Sequence, residues 1–445
     1  MLWGRRVRLA AFFANSAGRK KLLHGAILVS RPERNRTAAA RQALITYVKQ
    51  TANLCRSLRR QKGTKMHRSL LLAASAASLI LVTAALADNQ SDLDRCKFAG
   101  DLKRADEGIA ACDRVIDDSK VTAQGRAAAL SNRCGWWWAK KDPDRALSDC
   151  NEAIRLDGSN AAALLNRGNV FLSKSDPERA LADFNSAIRL DPNSAWAFAS
   201  RGNLHKNNGD LERALADLNE SIRLDPSYAP AFFSRGDVYK SKGDFARAIT
   251  DMDEAIRLDP NFAPAYFSRG HLFYILGNNP AALEDFSKAI KLDPNDGSAY
   301  FNRGVAYYVV GGRYADAVAD FTKIAESNPK DAYAALWRDL AERRNSAPSH
   351  LAEAAKQLDM TAWPAPVIRH FLGELSVEQT LKAAFDTDQK TKQAQTCEAN
   401  FYSGELALLK KNRKEAQRLL NAAADYCPPS FVESPAAVAD LIVLK

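Results

Sequence analysis

The feature that most constrains the fold of this chain is a repeat of 34 residues in its middle. A short phrase of asparagine or serine, arginine and glycine returns at this interval, first at residues 166–168 and for the fifth time at residues 302–304. A second phrase closes four of the units with a proline: Pro192, Pro226, Pro260 and Pro294. A unit this short cannot bury an apolar face alone, so neighbouring units must stack. The period therefore predicts an extended array rather than one globular core.

Each unit carries large and small side chains in a fixed order. In the unit that begins at Ala161, bulky residues occupy positions 4, 11 and 24, small residues occupy positions 8, 20 and 27, and proline occupies position 32. This pattern resembles the tetratricopeptide (TPR) family over residues 127–331, where six units follow one another. The resemblance implies an all-α superhelical solenoid of antiparallel helix pairs, in which helix A of each unit lines a concave face. Residues 88–126 are expected to form a degenerate first repeat.

The rhythm fails at 332–396, where we expect an irregular helical segment, and 397–445 is expected to form a TPR-like unit with a capping helix. This C-terminal part carries three landmarks: Trp363 with Val367 and Phe371-Leu372-Gly373, then Phe401-Tyr402, then Phe431-Val432-Glu433. Together they resemble the NlpI-type periplasmic TPR proteins of Gram-negative bacteria. That resemblance implies a homodimer and an adaptor that brings cell-wall endopeptidases and a processing protease together. The chain departs from that family in lacking a lipid-bearing cysteine after its signal and in carrying more standard repeats.

The positive charge of the chain lies at its front end. The formal net charge is +11, and residues 1–65 carry 16 lysines and arginines against one acid. Residues 1–87 together contribute +16, which leaves −5 for residues 88–445. A nucleic-acid partner is therefore not expected for the repeats, because they have no excess of basic residues.

Residues 66–87 have the anatomy of a secretory signal peptide. A short basic start at Met66 is followed by an apolar core and by Ala-Leu-Ala, which predicts cleavage after Ala87. Met66 is then the true start, and residues 1–65 are an overextended start or a disordered leader. Two alternatives stay open: an arginine-rich transit-type leader, and an uncleaved anchor, for which about 18 apolar residues are the lower limit. We expect a periplasmic protein without stable membrane insertion after signal removal.

Six cysteines follow the signal, and they form pairs that are symmetric about the turn of a helix hairpin. In an antiparallel hairpin such residues lie opposite one another, and helix axes ~8–10 Å apart allow the Cα separation of roughly 5.5 Å that a disulfide prefers. An exported protein can form disulfides. The spacing therefore predicts three bonds, with free buried thiols as the alternative: Cys96–Cys112, Cys134–Cys150 and Cys397–Cys427.

Opposite charges recur at two positions of the repeat. Position 7 is arginine in six units and position 23 is aspartate in the same six: Arg133 and Asp149, Arg167 and Asp183, Arg201 and Asp217, Arg235 and Asp251, Arg269 and Asp285, Arg303 and Asp320. One interpretation is a charged rail for an acidic partner. The other is an ion-pair network between helices A and B, which the matched numbers favour.

A partner groove is predicted on helix A. In peptide-binding TPR arrays position 6 faces the groove, and here it alternates between asparagine and serine. Position 9 is polar in units two to five, and position 5 is phenylalanine in the last three units. The predicted groove residues are Asn132, Asn166, Asn169, Ser200, Asn203, Phe233, Ser234, Asp237, Phe267, Ser268, His271, Phe301 and Asn302. They suggest polar contacts in the N-terminal half and an aromatic strip in the C-terminal half. The alternative for the phenylalanines is packing against adjacent units.

Three consecutive tryptophans, Trp136 to Trp138, stand in the first full unit. Trp137 occupies core position 11, so one of the other two is expected to be exposed and to anchor a partner, or to pack on the degenerate repeat. No catalytic, metal or cofactor site is expected, since the four histidines after the signal lack metal-ligand spacing and no nucleophile or phosphate-loop motif is present. We do not expect an enzyme.

The sequence thus predicts an exported scaffold or adaptor that binds a protein or peptide in its concave groove. The NlpI resemblance implies a role in cell-wall hydrolase regulation. Two alternatives remain: a carrier or sensor for a small ligand or glycan, with the tryptophans as its platform, and a purely structural element that forms a homodimer.

Overall fold

A computed structural model of the chain describes residues 92–97, 102–428 and 431–444. The chain divides into two compact units, residues 1–97 and 98–445. Of the first unit only residues 92–97 are described, and 92–96 are helical. The predicted leader at 1–65 and the predicted signal peptide at 66–87 lie outside the described residues, so both stay predictions.

The second unit opens with a 3-10 turn at Leu102–Arg104 and continues as helices in hairpin order. They are α1 (Ala105–Asp117), α2 (Ala123–Ala139), α3 (Pro143–Leu156), α4 (Ala161–Ser173), α5 (Pro177–Leu190), α6 (Ala195–Asn207), α7 (Leu211–Leu224), α8 (Ala229–Ser241), α9 (Phe245–Leu258), α10 (Ala263–Ile275), α11 (Asn279–Leu292), α12 (Gly297–Val310) and α13 (Tyr314–Ser327). From α2 onward they form six A and B pairs, and α1 packs on α2. The predicted all-α solenoid is confirmed.

Aspartate side chains begin the B helices. Each of the first four B helices follows an aspartate that accepts a hydrogen bond from the backbone N–H three residues on: Asp142, Asp176, Asp210 and Asp244. This satisfies a donor of the first turn and places negative charge at the positive end of the helix dipole. Between α8 and α9 the chain reverses at Gly243, whose φ of 75° is a left-handed conformation that glycine adopts without strain.

Helices A and B of one unit approach closely at position 8. A Cβ atom added to Gly168 would lie 2.5 Å from the ring of Phe184, which is fully buried at position 24 of the same unit. The ring therefore occupies the volume that a side chain at position 8 would need. This contact explains why a large residue at position 24 accompanies a small one at position 8.

Consecutive A helices face one another along the array. Each A helix from α2 to α12 contacts the A helix that follows it, and α12 in the same way contacts helix 332–344 beyond the array. Among the described residues, no B helix contacts the next B helix to the same extent. Helices A therefore line the inner, concave side of the superhelix, and helices B form its outer side.

The C-terminal region caps the array. Its helices are α14 (Ala332–Arg344), α15 (Leu351–Ala354), α16 (Ala365–Phe371), α17 (Val377–Ala383), α18 (Gln389–Leu409), α19 (Arg413–Tyr426) and α20 (Glu433–Leu444). Helices α18 and α19 form a hairpin, and α20 packs on both. One hydrophobic core joins these helices to the last two repeats, with the fully buried Trp337 of α14 against Phe401 and Tyr402 of α18.

The predicted cysteine pairs of the first full repeat and of the C-terminal hairpin stand at bonding distance. The Sγ atoms of Cys134 and Cys150 are 2.10 Å apart with a Cα separation of 5.5 Å, and those of Cys397 and Cys427 are 2.05 Å apart with a Cα separation of 4.7 Å. Cys112 is fully buried and disulfide-bonded, as is Cys96. Each described bond joins the two helices of one hairpin.

Removing the first of these crosslinks is expected to destabilise the chain. Replacing Cys134 and Cys150 together by alanine should lower the free energy of unfolding by about 3 kcal/mol, because the crosslink closes a short loop in the unfolded chain. Urea unfolding followed by circular dichroism measures this change. Alkylation without reductant followed by intact-mass analysis should modify none of the six cysteines. Six alkylated cysteines would contradict the pairing.

Candidate functional site

The position 7 arginines lie between helices A and B. In the fourth unit, Arg235 donates to both carboxylate oxygens of Asp251, with distances of 2.9 Å from Nε and 2.7 Å from Nη2. The same two bonds recur in the other five units: Arg133–Asp149, Arg167–Asp183, Arg201–Asp217, Arg269–Asp285 and Arg303–Asp320. The ion-pair interpretation is confirmed, and the charged rail is wrong.

The third guanidinium nitrogen ties each unit to the one before it. Nη1 of Arg235 donates to Oδ1 of Asn219 at 2.8 Å, and Nη1 of Arg269 donates to Asp253 at 2.6 Å. The other four arginines reach equivalent partners: Asp113, Asn151, Asn185 and Ser287. Since the position 23 aspartates are only 4–7% exposed, the cations are committed to this network and cannot serve an acidic partner.

The position 6 side chains are largely committed to the array as well. Asn166 donates through Nδ2 to the backbone oxygen of Ser131 in the preceding unit at 2.9 Å. Asn302 donates in the same way to the backbone oxygen of Ser298, one turn earlier in its own helix. The remaining four are buried or half-buried: Asn132, Ser200, Ser234 and Ser268. The two bonded amides and the two serines that are 5% exposed, Ser234 and Ser268, do not form the open ladder predicted from the sequence.

The polar side chains at positions 9 and 12 of units two to four are half-buried, and we call them the polar row: Asn169, Asn203, Lys206, Asp237 and Lys240. Oδ1 of Asn203 is buried and has no hydrogen-bond partner among the described residues. Asp237 lies between two lysines, with Nζ of Lys206 at 3.3 Å and Nζ of Lys240 at 2.8 Å. Asp237 and its two lysines therefore offer a ligand both a negative and a positive group.

The three position 5 phenylalanines pack ring against ring. Their partners and centroid distances are Phe233–Phe262 at 5.2 Å, Phe267–Phe286 at 5.9 Å and Phe301–Phe321 at 5.7 Å. His271 also stacks on Phe267, at 6.5 Å. The last two partners are the large residues of helix B in the same unit, so these contacts are within a unit rather than between units. Each phenylalanine remains half-buried.

The C-terminal region covers the inner face of the last two repeats. Tyr274 and Tyr308 stand at position 12 of α10 and α12 and are only 1% and 4% exposed. The Tyr274 hydroxyl donates to the backbone oxygen of Val432 at 2.8 Å, and the Tyr308 hydroxyl donates to Glu405. The capping region of the chain therefore occupies part of the C-terminal half of the groove, for which the sequence predicts an aromatic strip. The polar row lies in the half that this region does not cover.

The tryptophan cluster points in several directions. Trp136 is fully buried over Gly108 of α1, where an added Cβ would lie 2.4 Å from its ring. Trp137 is half-buried, with the Arg145 guanidinium 3.8 Å from its ring centroid. Trp138 is 38% exposed. Trp136, rather than Trp137, therefore fills the core against the degenerate repeat, and Trp138 is the exposed member.

Sequence reasoning missed a second aromatic pair. Trp196 is 44% exposed and stacks on Tyr228 with ring centroids 5.5 Å apart and an angle of 16° between the planes. Burial raises the pKa of Tyr228 to about 12, so its hydroxyl stays neutral. Trp196 precedes Asn203 by seven residues in α6, which places both on one face of that helix. An aromatic residue at position 2, where other units have alanine, proline or serine, is the signal that was available.

No metal site or membrane span is found in the part of the chain that the structure describes. None of its histidine, cysteine, aspartate and glutamate residues form a group of three or more that could hold a metal ion. None of its helices combines the length and apolar character needed to cross a bilayer.

Sequence comparison identifies the repeats. A sequence model described as TPR repeat matches residues 168–209, 202–243, 236–274 and 270–311, and one described as tetratricopeptide repeat matches residues 298–331. The Lipoprotein NlpI homolog of Haemophilus influenzae is 30% identical over 139 residues, which are 30% of this chain and 44% of that protein. The chain thus spans less than half the length of this relative.

Several solved structures resemble parts of the chain. The crystal structure of YrrB, described as a TPR protein with an unusual peptide-binding site, is 25% identical and covers 42% of this chain and 95% of its own, with a TM-score of 0.34. PilF of Pseudomonas aeruginosa is 17% identical and covers 47% of this chain and 94% of its own, with a TM-score of 0.42.

Proposed function

Because the chain is a tetratricopeptide-repeat protein that resembles the NlpI homolog, we propose that it is an exported scaffold which binds a segment of a partner protein on its concave face. The repeat fold is one that holds protein partners. Three more specific features belong to this function: a binding groove, export, and a class of partner.

The observation that carries the proposal is the polar row beside the exposed Trp196. Asn203 presents a buried acceptor without a partner, and Asp237 with its two lysines presents both signs of charge. Trp196 adds a large exposed aromatic surface on the same helix face as Asn203. An aromatic anchor beside hydrogen-bonding groups is the usual composition of an interface centre. A peptide segment would bring polar or charged groups to Asp237 and its two lysines, and a side chain to Trp196.

Replacing Trp196 by alanine is expected to weaken capture of the partner by roughly thirty-fold, the loss typical of an interface anchor. The measurement is site-specific photo-crosslinking at residue 206 in the native host, followed by mass spectrometry, in the parent chain and in Trp196→Ala. Glu212→Ala is the matched control, because Glu212 lies on outer helix α7 with its side chain 80% exposed. Glu212→Ala should leave the crosslinking from residue 206 unchanged. A crosslinker placed instead at residue 212 that captures the partner equally well, or no loss in Trp196→Ala, would rule out the groove.

Export to the periplasm is supported by two features of the sequence and one relative. The stretch at 66–87 has signal-peptide anatomy, the cysteines after it pair, and the relative is called a lipoprotein. The first partners to test are cell-wall hydrolases, as the NlpI resemblance implies. N-terminal sequencing of the chain recovered from periplasm should begin at Asp88; a chain that begins earlier and stays in the cytoplasm contradicts this part.

Glycan binding is a second candidate, which the Trp196–Tyr228 pair favours. Its stacked, exposed aromatic surface suits the apolar face of a sugar ring as well as a peptide side chain. Titration of peptidoglycan fragments, followed by tryptophan fluorescence in the parent chain and in Trp196→Ala, separates the two functions. The homodimer is a third arrangement, which light scattering of the exported chain tests directly.

A further inference from the structure

Helix α20 lies against the inner side of the last two repeats. It contacts α12 of the array and packs on α18 and α19 of the capping hairpin. The residue just before it, Val432, accepts the hydrogen bond from Tyr274, and the backbone oxygen of Leu444 at its end accepts one from Arg413 at 2.9 Å. The helix therefore covers Tyr274 and Tyr308, which otherwise stand at groove position 12.

Carboxyl groups lie on the buried side of α20 near its C-terminal half. Asp440 faces Arg344 of α14, Glu405 of α18 and Tyr308 of α12. Nη2 of Arg344 is 2.9 Å from Glu405 and 3.5 Å from Asp440. Glu405 is fully buried, so one guanidinium serves two carboxyl groups in a site with little access to water.

A second pair of carboxyl groups lies under the start of α20. Glu433 is 4% exposed and accepts a hydrogen bond from the Tyr402 hydroxyl at 3.2 Å. Glu398 lies nearby and accepts from Trp363 at 2.6 Å and from Tyr333 at 3.0 Å. The titratable groups that face this pair are tyrosines of α10, α14 and α18: Tyr274, Tyr333 and Tyr402. Among the described residues, no lysine or arginine pairs with either carboxyl group.

We propose that α20 is a pH-responsive cover over the concave face of the last two repeats. It stays docked while Glu433 and Asp440 carry protons, and it detaches as they ionise, because Glu433 is buried without a cation and Asp440 shares the guanidinium of Arg344 with Glu405. Detachment exposes Tyr274 and Tyr308 and extends the open groove from the polar row toward the end of the array. The cover depends only on α20 and its contacts. A test of it therefore does not require knowing which partner the chain binds.

The direction of the pH dependence follows from the burial of these groups. Burial raises the pKa of Glu433 to about 7, with Glu398 adding to the shift. Burial also raises the pKa of Asp440; Glu405 adds to this shift, and Arg344 opposes it. When α20 is detached, Glu433 loses its proton near the ordinary pKa of 4.5. When α20 is docked, Glu433 keeps its proton up to a pH of about 7. Docking is therefore strongest in acid and is lost as the pH rises through this window.

Hydrogen–deuterium exchange of the full chain at pH 5.5 and pH 8.5, corrected for the intrinsic rates, tests the cover. By the linkage relation, ionisation of Glu433 alone should lower the protection of the α20 amides by roughly thirty-fold between pH 5.5 and pH 8.5. Hydroxyl-radical footprinting of Tyr274 and Tyr308 should rise over the same range. The amides of α4 to α9 should keep their protection, since among the described residues α20 packs mainly on α18 and α19 and, in the array, on α12.

The decisive variant is Glu433→Gln with Asp440→Asn, which removes the titrating groups and keeps their shape. It should give α20 the same protection at both pH values. Glu433→Gln alone should remove the roughly thirty-fold part of the change that Glu433 contributes, which keeps the test valid if the double variant folds poorly. Asp425→Asn, at an exposed position of α19, is the control and should retain the full change. Equal protection of α20 at both pH values in the parent chain would overturn the proposal. So would an unchanged loss in Glu433→Gln, or an equal loss in α4 to α9.

Discussion

Replacing Arg235 by alanine is expected to lower the free energy of unfolding by about 3 kcal/mol. The substitution leaves Asp251, which is only 4% exposed, without the two hydrogen bonds that compensate its charge. It also removes the bond from Nη1 to Asn219 of the preceding unit. Because neighbouring units stabilise one another in a repeat array, the loss should spread to the adjacent units. Urea unfolding followed by circular dichroism measures the total change.

A matched arginine separates the buried pair from an ordinary surface pair. Arg257 sits in the same unit and pairs with Glu254 three residues earlier, with its side chain 66% exposed. Arg257→Ala should lower the free energy of unfolding much less than Arg235→Ala does, because an exposed ion pair contributes little to stability. Adding Asp251→Ala to Arg235→Ala should recover part of the loss, since no unpaired carboxylate then remains. Equal losses in the two single variants would show that the network contributes no more than surface charge.

Replacing Trp337 by alanine is expected to lower the free energy of unfolding by about 3–5 kcal/mol, as for other buried aromatic residues. Trp337 is fully buried, and its ring centroid lies 5.4 Å from that of Tyr308 and 5.3 Å from that of Phe401. Its loss opens a cavity where the array meets the capping region. Hydrogen exchange should therefore increase first in α14 to α20, and urea unfolding gives the magnitude.

Trp138 provides the control for this substitution. It is 38% exposed in α2, so Trp138→Ala should cost less than about 1 kcal/mol. Exchange that increases first in α4 to α9 for Trp337→Ala would contradict the view that this residue joins the cap to the array. An equal destabilisation by both substitutions would contradict the burial argument.

The position 7 arginines make one contact that the repeat pattern predicts and one that it does not. Position 7 and position 23 carry matched charges and face each other across a hairpin, so the bond between Arg235 and Asp251 was predictable from spacing. The additional bond to Asn219 was not, because position 25 varies between asparagine, aspartate and serine. Nη1 of the arginine donates to any of these three residue types, so the contact recurs although the residue at position 25 changes.

The repeat pattern does not predict which side chains of the groove are accessible. The position 6 ladder was predicted from the face on which it lies, but the close approach of consecutive A helices leaves Ser234 and Ser268 buried and engages Asn166 with the preceding unit. Trp196 was overlooked because it departs from the repeat, although such departures are where a repeated scaffold acquires a specific surface.

The sequence by itself determined the all-α solenoid, the helix pairs and the position 7 ion pairs, because all of these depend on contacts within one unit or between adjacent units that share a 34-residue period. Only the tertiary structure decided which part of the concave face stays open. Tyr274 bonds to Val432 across 158 residues, and Tyr308 bonds to Glu405 across 97. No period relates these residues, so their meeting depends on how the capping region folds back on the array.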